Sequence, residues 1–155
     1  MSVKVLFICL GNICRSPMAE ALFQKHLQEA GVENKISVDS AGLGDWHAGS
    51  SPHEGTIGVL EQHGVSAGPG TARVVDAGEE ADYIVAMDEQ NLEMLQDFHV
   101  STKDGRVWKL LDFHPERRSE DVPDPYFDNN FGHVFELVNT STFHLLQWIR
   151  EQENV

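Results

Sequence analysis

Cysteine is scarce in this chain, positive charge is thin, and no apolar run is long; each shortage removes a class of protein. Two cysteines in 155 residues, Cys9 and Cys14, cannot staple a secreted domain, and free thiols suit a reducing compartment. No apolar stretch approaches the ~20 residues that span a bilayer, and no small-residue cleavage site follows the short apolar run of the opening MSVKVLFICLGN. A cytoplasmic protein without membrane insertion is expected. Eleven Lys and Arg stand against 25 Asp and Glu, a formal charge of -14, and the segment 76–97 holds eight carboxylates with no Lys or Arg. Such a field disfavours nucleic acid and anionic lipid, whose binding depends on clustered basic residues. An anionic ligand would need a local, well-aimed cationic site to overcome it. The eight histidines are scattered without the close spacing of a metal cluster, so no metal and no cofactor is expected, and His47, His53, His63 and His99 read as surface groups. Repeats, linkers and low-complexity segments are missing too, which leaves one domain over 1–155.

What is present is a repeated switch of hydrophobic period. Lys4 to Cys9 is a β-rich run without alternation, as expected of a strand covered on both faces. Ser16 and Pro17 then open a helix with Met18, Leu22, Phe23, Leu27 and Ala30 on one stripe and Gly31 as its stop. Strands are expected over Ile36 to Ser40, Ala81 to Met87 and Val107 to Phe113. Helices are expected over Pro52 to His63, Asp88 to Phe98 with Leu92 and Leu95 inward, and Phe131 to Ile149. This alternation predicts an α/β domain of three layers, a four-stranded parallel sheet flanked by helices. Ala41 to Gly55 and Phe113 to Asn130 are long loops, a length at which loops usually carry function.

In an open α/β sheet the ligand site lies beyond the carboxyl ends of the strands, where Cys9 stands. The segment Leu10, Gly11, Asn12, Ile13, Cys14, Arg15, Ser16 is a tight turn running straight into a helix, a geometry that converges backbone amides and the helix dipole on one point. Phosphate is the expected guest. Gly11 allows close approach, and Asn12 tolerates the left-handed conformation while its side chain ties down the loop. The same surroundings favour a thiolate at Cys9. Arg15 offers a planar fork for two phosphoryl oxygens, and Ser16 can donate to the sulfur.

The nonapeptide CLGNICRSP, Cys9 to Pro17, with Asp124-Pro125-Tyr126 late in the chain, Asp39 to Gly42 as Asp-Ser-Ala-Gly, Ala72-Arg73, and Met87-Asp88 closing a strand, resembles the low-molecular-weight protein tyrosine phosphatases over essentially the whole length. The resemblance implies hydrolysis of phosphotyrosine through a phosphocysteine: Cys9 attacks phosphorus, Arg15 clamps the transition state, and Asp124 acts as general acid and then base. The chemistry asks for these types independently, since covalent catalysis divides a hard displacement and one carboxyl can serve both halves. By the same resemblance Trp46 and Tyr126 wall a slot for the phenol ring, Ser40 supports Asn12, and Cys14 is a redox partner for Cys9. Implied partners are phosphotyrosine-containing proteins, by analogy an autophosphorylating tyrosine kinase among them.

Two departures from the family pattern are visible. Phe127 follows Tyr126 where many members carry a second tyrosine, and His53 and Gly55 stand where an acid and a base are expected, which removes a local ion pair. Two other classes share the scaffold's logic: an arsenate reductase, whose thioredoxin-linked forms need cysteines beyond Cys14, and a phosphotyrosine-binding protein without turnover.

Overall fold

The first strand is apolar from Val5 to Cys9 because both of its faces are covered there. A computed structural model describes residues 2–155. Strand β1, Val3–Cys9, pairs in parallel with β2, Ile36–Gly42, on one side and with β3, Tyr83–Ala86, on the other; β3 pairs with β4, Val107–Lys109, giving the parallel order β2-β1-β3-β4. Val5, Leu6, Phe7 and Ile8 are fully buried. Val5, Phe7 and Cys9 face a core shared with Met18, Leu22, Phe23, Val134, Val138 and Leu145, whereas Leu6 and Ile8 face Ile84 and Leu95. One face thus carries helices α1, Arg15–Ala30, α2, Glu54–Gln62, and α5, Phe131–Glu153; the other carries α3, Glu89–Leu95. Each large apolar side chain so buried contributes on the order of 1.5–3 kcal/mol. The sheet is the expected four-stranded parallel one in a single α/β domain.

Element boundaries differ from the sequence reading where local polar bonds intervene. The expected strand Val107 to Phe113 stops at Lys109, and Leu110–Phe113 is a 3-10 turn. The Asp112 carboxylate accepts the Lys109 amide at 3.0 Å, while Lys109 Nζ is held by Ser119 O at 2.7 Å and Asp121 at 3.0 Å, which turns the chain out of the sheet. Asp88 is not the first helical residue but the N-cap of α3, accepting the Asn91 amide at 2.8 Å. Helix α3 gives way at Gln96–Phe98 to a 3-10 turn, and α2 begins at Glu54, two residues after Pro52. The loop expected from Phe113 to Asn130 contains one helical turn, α4, Pro125–Asp128, with proline at its start. Because the chain leaves β1 toward β2 and later returns to β3 on the opposite side, the strand order reverses beside the carboxyl end of β1. That is where a crevice opens in such sheets.

Candidate active site

Cys9 ends β1 buried, and the next six residues curl around its sulfur. Asn12 takes the left-handed conformation, φ 58°, and its backbone amide points at Cys9 Sγ from 3.3 Å. Ser16, expected as a helix cap, does not cap: Cys14 is the N-cap residue and offers no side-chain bond, while Ser16 is buried in the first turn with Oγ 3.0 Å from Cys9 Sγ. The physical reason is competition, since that hydroxyl is already taken by the sulfur and by Asn12 Nδ2 at 2.8 Å. Asn12 Nδ2 also donates to Ser40 Oγ at 3.0 Å, and the Arg73 amide donates to Asn12 Oδ1 at 3.0 Å. The loop's carbonyls are bonded outward: Leu10 O accepts the amides of Leu43 and Gly44, Ile13 O accepts that of His53 at 2.7 Å, and Cys14 O accepts Thr56 Oγ1 at 3.1 Å. Carbonyls taken in this way by the surrounding chain leave the loop able to offer its amides to an anion, as a nest does.

Arg15 is 2% exposed. Its Nη1 donates to Asp88 Oδ2 at 2.6 Å and to Val122 O at 2.9 Å, and its Nη2 lies 3.5 Å from Asp124 Oδ2. Burial works against the guanidinium charge, but Cys9, Asp88 and Asp124 outweigh it and raise the Arg15 pKa. Asp88 therefore caps α3 with one oxygen and anchors Arg15 with the other. Asp124 is the N-cap of α4, its Oδ1 accepting the Tyr126 amide at 3.1 Å while Oδ2 faces Arg15. The Val122 amide bonds Met87 O at 2.9 Å, so the segment leading to Asp124 is tied to the end of β3. Burial, with Asp124 and Cys9 adding to it, pushes the Cys14 thiol up to about 12.

Above the sulfur opens a cavity of about 110 Å³ lined by Cys9, the loop, Arg15, Asp124 and an aromatic rim. Trp46 is 64% exposed and packs its ring against Gly44, where a Cβ would meet it at 1.9 Å. Glycine at 44 is what lets the indole fold back toward the mouth. Tyr126 forms another wall, with Phe127, 78% exposed, edge-on to it at 5.5 Å. His47 and His53 are not free surface groups as expected. His47 packs against Gly11 and lies 5.8 Å from the Tyr126 ring. His53 caps α2, its Nδ1 accepting the Gly55 amide at 2.9 Å, and stacks on Phe131 at 5.0 Å with its edge toward Tyr126 at 6.0 Å. His63, stacked on Phe135, and His99 do sit at the surface. Where the family pattern carries an acid and a base, an aromatic stack stands at 53, and Gly55 makes room for it: a Cβ there would lie 2.4 Å from the Phe131 ring. Gly55→Ala should cost about 1–3 kcal/mol in urea unfolding by forcing that ring aside; an unchanged midpoint would show that Phe131 moves freely.

Cys9, Leu10, Gly11, Ile13, Cys14, Arg15, Asp124, Trp46 and Tyr126 all line one cavity, with Asn12, Ser16 and Ser40 beneath the loop. Sequence reasoning missed Asp88 as an anchor, the Val122 carbonyl, and the rim residues His47, His53 and Phe127. An aspartate directly after a buried strand was the available signal for Asp88. For the carbonyl there was none. Among the described residues no group of His, Cys, Asp and Glu is placed to hold a metal ion, and no helix is long and apolar enough to cross a membrane.

Residues 4–155 match the family described as low molecular weight phosphotyrosine protein phosphatase. The chain is 42% identical over 155 residues to the Bacillus subtilis low molecular weight protein-tyrosine-phosphatase YfkJ, covering 99% of each, and 40% identical to the Staphylococcus aureus phosphatase PtpA, covering 99% of this chain and 97% of that one. The crystal structure of YfkJ superposes with a TM-score of 0.88 at 41% identity, over 98% of this chain and 97% of that one. A Drosophila arginine phosphatase superposes with a TM-score of 0.84 at 30% identity, over 96% and 98%. Loop, sheet order and full-length similarity agree: the chain belongs to the low molecular weight phosphotyrosine protein phosphatase family and is a protein-tyrosine-phosphatase.

Proposed function

We propose that this chain hydrolyses protein phosphotyrosine in two displacements, with Cys9 as nucleophile, Arg15 as clamp on the equatorial oxygens and Asp124 as acid and then base. The observation that carries the reading is that Cys9 Sγ, the Arg15 guanidinium and the Asp124 carboxyl converge on one cavity with Asp124 Oδ2 3.5 Å from Arg15 Nη2. Cys9 Sγ forms a bond to phosphorus as the bond to the phenol oxygen breaks, and Asp124 delivers a proton to that oxygen. Water then attacks the phosphocysteine, giving its proton to Asp124, and inorganic phosphate leaves. Amides of 10–16 and the fixed guanidinium meet the charge as it spreads over the three outer oxygens, preorganised so that nothing must reorient. Asp88 and Val122 hold one edge of Arg15 and so keep the other directed at the phosphoryl group.

Trp46 and Tyr126 set the depth of the slot. A phenol ring spans the distance from the rim to the sulfur, and phosphoserine is too short to do so. Steady-state hydrolysis of matched phosphotyrosine, phosphoserine and phosphoarginine peptides, beside a thiol-coupled arsenate reduction assay, tests the reading. Phosphotyrosine should exceed the others in kcat/KM by about 10²-fold or more; preference for phosphoarginine, or turnover of arsenate alone, would overturn it. The physiological substrate class is phosphotyrosine protein of the cytoplasm, an autophosphorylating tyrosine kinase among the candidates.

Cys14 serves as the redox partner. Peroxide oxidises the Cys9 sulfur to a sulfenic acid, and the Cys14 thiol displaces its hydroxyl as water, leaving a disulfide that thiols can reverse. Because burial holds Cys14 protonated, its pKa at about 12, the second step should quicken with rising pH throughout the neutral and alkaline range. Mass spectrometry after peroxide should find the Cys9 to Cys14 bridge, faster at pH 9 than at pH 7; Cys9 sulfonic acid with Cys14 reduced would rule the role out.

A further inference from the structure

We infer that Glu20, a residue outside the cavity, is a positioning residue for the nucleophile: it fixes the direction of a hydrogen-bond chain that ends with the Ser16 hydroxyl donating to Cys9 Sγ. Geometry alone leaves that last bond open, since at 3.0 Å either Sγ or Oγ could be the donor. The rest of the chain decides it. Ser40 Oγ donates to Glu20 Oε1 at 2.5 Å, and that bond uses the single Ser40 proton. Ser40 can then only accept from Asn12, and the Asn12 amide must present Nδ2 to it, as found at 3.0 Å. At the other end the Arg73 backbone N–H can only donate, and it requires Asn12 Oδ1, at 3.0 Å. The second Nδ2 hydrogen goes to Ser16 Oγ at 2.8 Å. Ser16 is thereby an acceptor toward Asn12, and its own proton is released toward the sulfur.

The chain thus runs from the Glu20 acceptor and a donor-only amide to one hydroxyl, with no freedom left in between. Without the carboxylate, the Ser40 proton has no fixed acceptor and can turn toward Asn12, in conflict with Nδ2. Ser40 and Asn12 then hold Ser16 less firmly, and its donation to the sulfur weakens. Burial raises the Glu20 carboxyl above its ordinary value, the Ser40 bond opposes this, Asp39 adds to the rise and Arg73 counters it. Arg73 is itself pinned by Asp39 at 2.9 Å and Glu79 at 3.0 Å, which keeps its amide in place. Arg15 and Cys14 both interact with Cys9, and Glu20 is not among the groups that shift either of them.

This inference rests on Cys9 as nucleophile, and the test reads the sulfur directly. Iodoacetate alkylates thiolate, and peptide mapping assigns the product to Cys9 or Cys14. Glu20→Ala should slow alkylation of Cys9 at pH 7 by about 3- to 10-fold, because a hydroxyl donor held less firmly supports the attacking sulfur less. kcat on an aryl phosphate should fall in parallel with KM within about twofold. Glu20→Gln, which keeps an oxygen acceptor, should recover most of the loss. Ser40→Ala should reproduce the loss, and Glu20→Ala should add nothing in that background. Should Glu20→Ala fail to fold, Glu20→Met keeps the packing without the acceptor and carries the same expectation. An unchanged rate at pH 7, or a full further loss on top of Ser40→Ala, overturns the role of Glu20. If alkylation of Cys9 left turnover intact, the nucleophile assignment itself would fall.

Discussion

Cys9→Ser should lose about 10⁴-fold or more in kcat on phosphotyrosine peptide while still binding inorganic phosphate. In the proposed mechanism affinity and chemistry have separate sources. Binding would come from the amides of 10–16 and from Arg15, whose Nη1 anchors at Asp88 and Val122 do not involve residue 9. The covalent step would come from sulfur alone. A serine oxygen fits the same space and can keep the bond to Ser16, but it stays a neutral, poorly nucleophilic alcohol at the pH where the enzyme works. Calorimetric titration with phosphate should therefore give a Kd within about tenfold of the parent protein. Residual turnover within tenfold of the parent would remove Cys9 from the nucleophile role, and loss of phosphate binding together with turnover would make it a structural residue of the loop.

The fold was legible because the burial pattern is written in the composition of the strands. A run such as VLFIC that is apolar at successive positions can be satisfied only by cover on both faces, and both cores are found, one through Val5 and Phe7 and the other through Leu6 and Ile8. What was not legible is decided by single polar bonds. Nothing in VWKLLDF marks Lys109 as the last strand residue, because the turn depends on Ser119 and Asp121 reaching Lys109 from outside the segment. Ser16 was misread for the mirror reason: a serine at a helix start usually caps, and only the tertiary placement of Cys9 and Asn12 redirects its hydroxyl.

The same division runs through the site. Residues contiguous in the loop, Cys9 to Ser16, were readable as a unit because the turn itself dictates their convergence. Partners brought in from a distance were not. Asp88 is 73 residues from Arg15 and Val122 is 107 from it, and each reaches the guanidinium only because β3 lies beside β1 and the segment before α4 is tied to Met87. The substitution of His53 and Gly55 for an acid and a base could be noticed in the sequence, but its meaning required Phe131. Only with that ring in view does the pair become a stacked lip against Tyr126.

Asp124 is the residue for which a structural role and a chemical one must be separated, since one of its oxygens caps α4 and the other faces Arg15. Leaving-group chemistry separates them. As the P–O bond breaks, a phenolate accumulates charge that a positioned acid neutralises, whereas a strongly activated leaving group such as difluoromethylumbelliferone needs little protonation. Asp124→Asn keeps a side-chain oxygen for the Tyr126 amide, so the cap survives and the proton is lost. It should cost about 10²- to 10⁴-fold in kcat on phosphotyrosine, the usual worth of general acid catalysis, and the deficit should shrink steadily as leaving-group pKa falls. Helix α4 is a single turn at the surface, so the melting temperature should move little. A series of aryl phosphates measured on both proteins gives the two slopes of log kcat/KM against leaving-group pKa, and the variant's should be distinctly steeper. Parallel slopes with an equal loss for every leaving group would make Asp124 a turn residue and pass the general-acid role to Asp121 or Asp128, of which Asp121 is already engaged with Lys109 at 3.0 Å and the Glu89 amide at 3.1 Å.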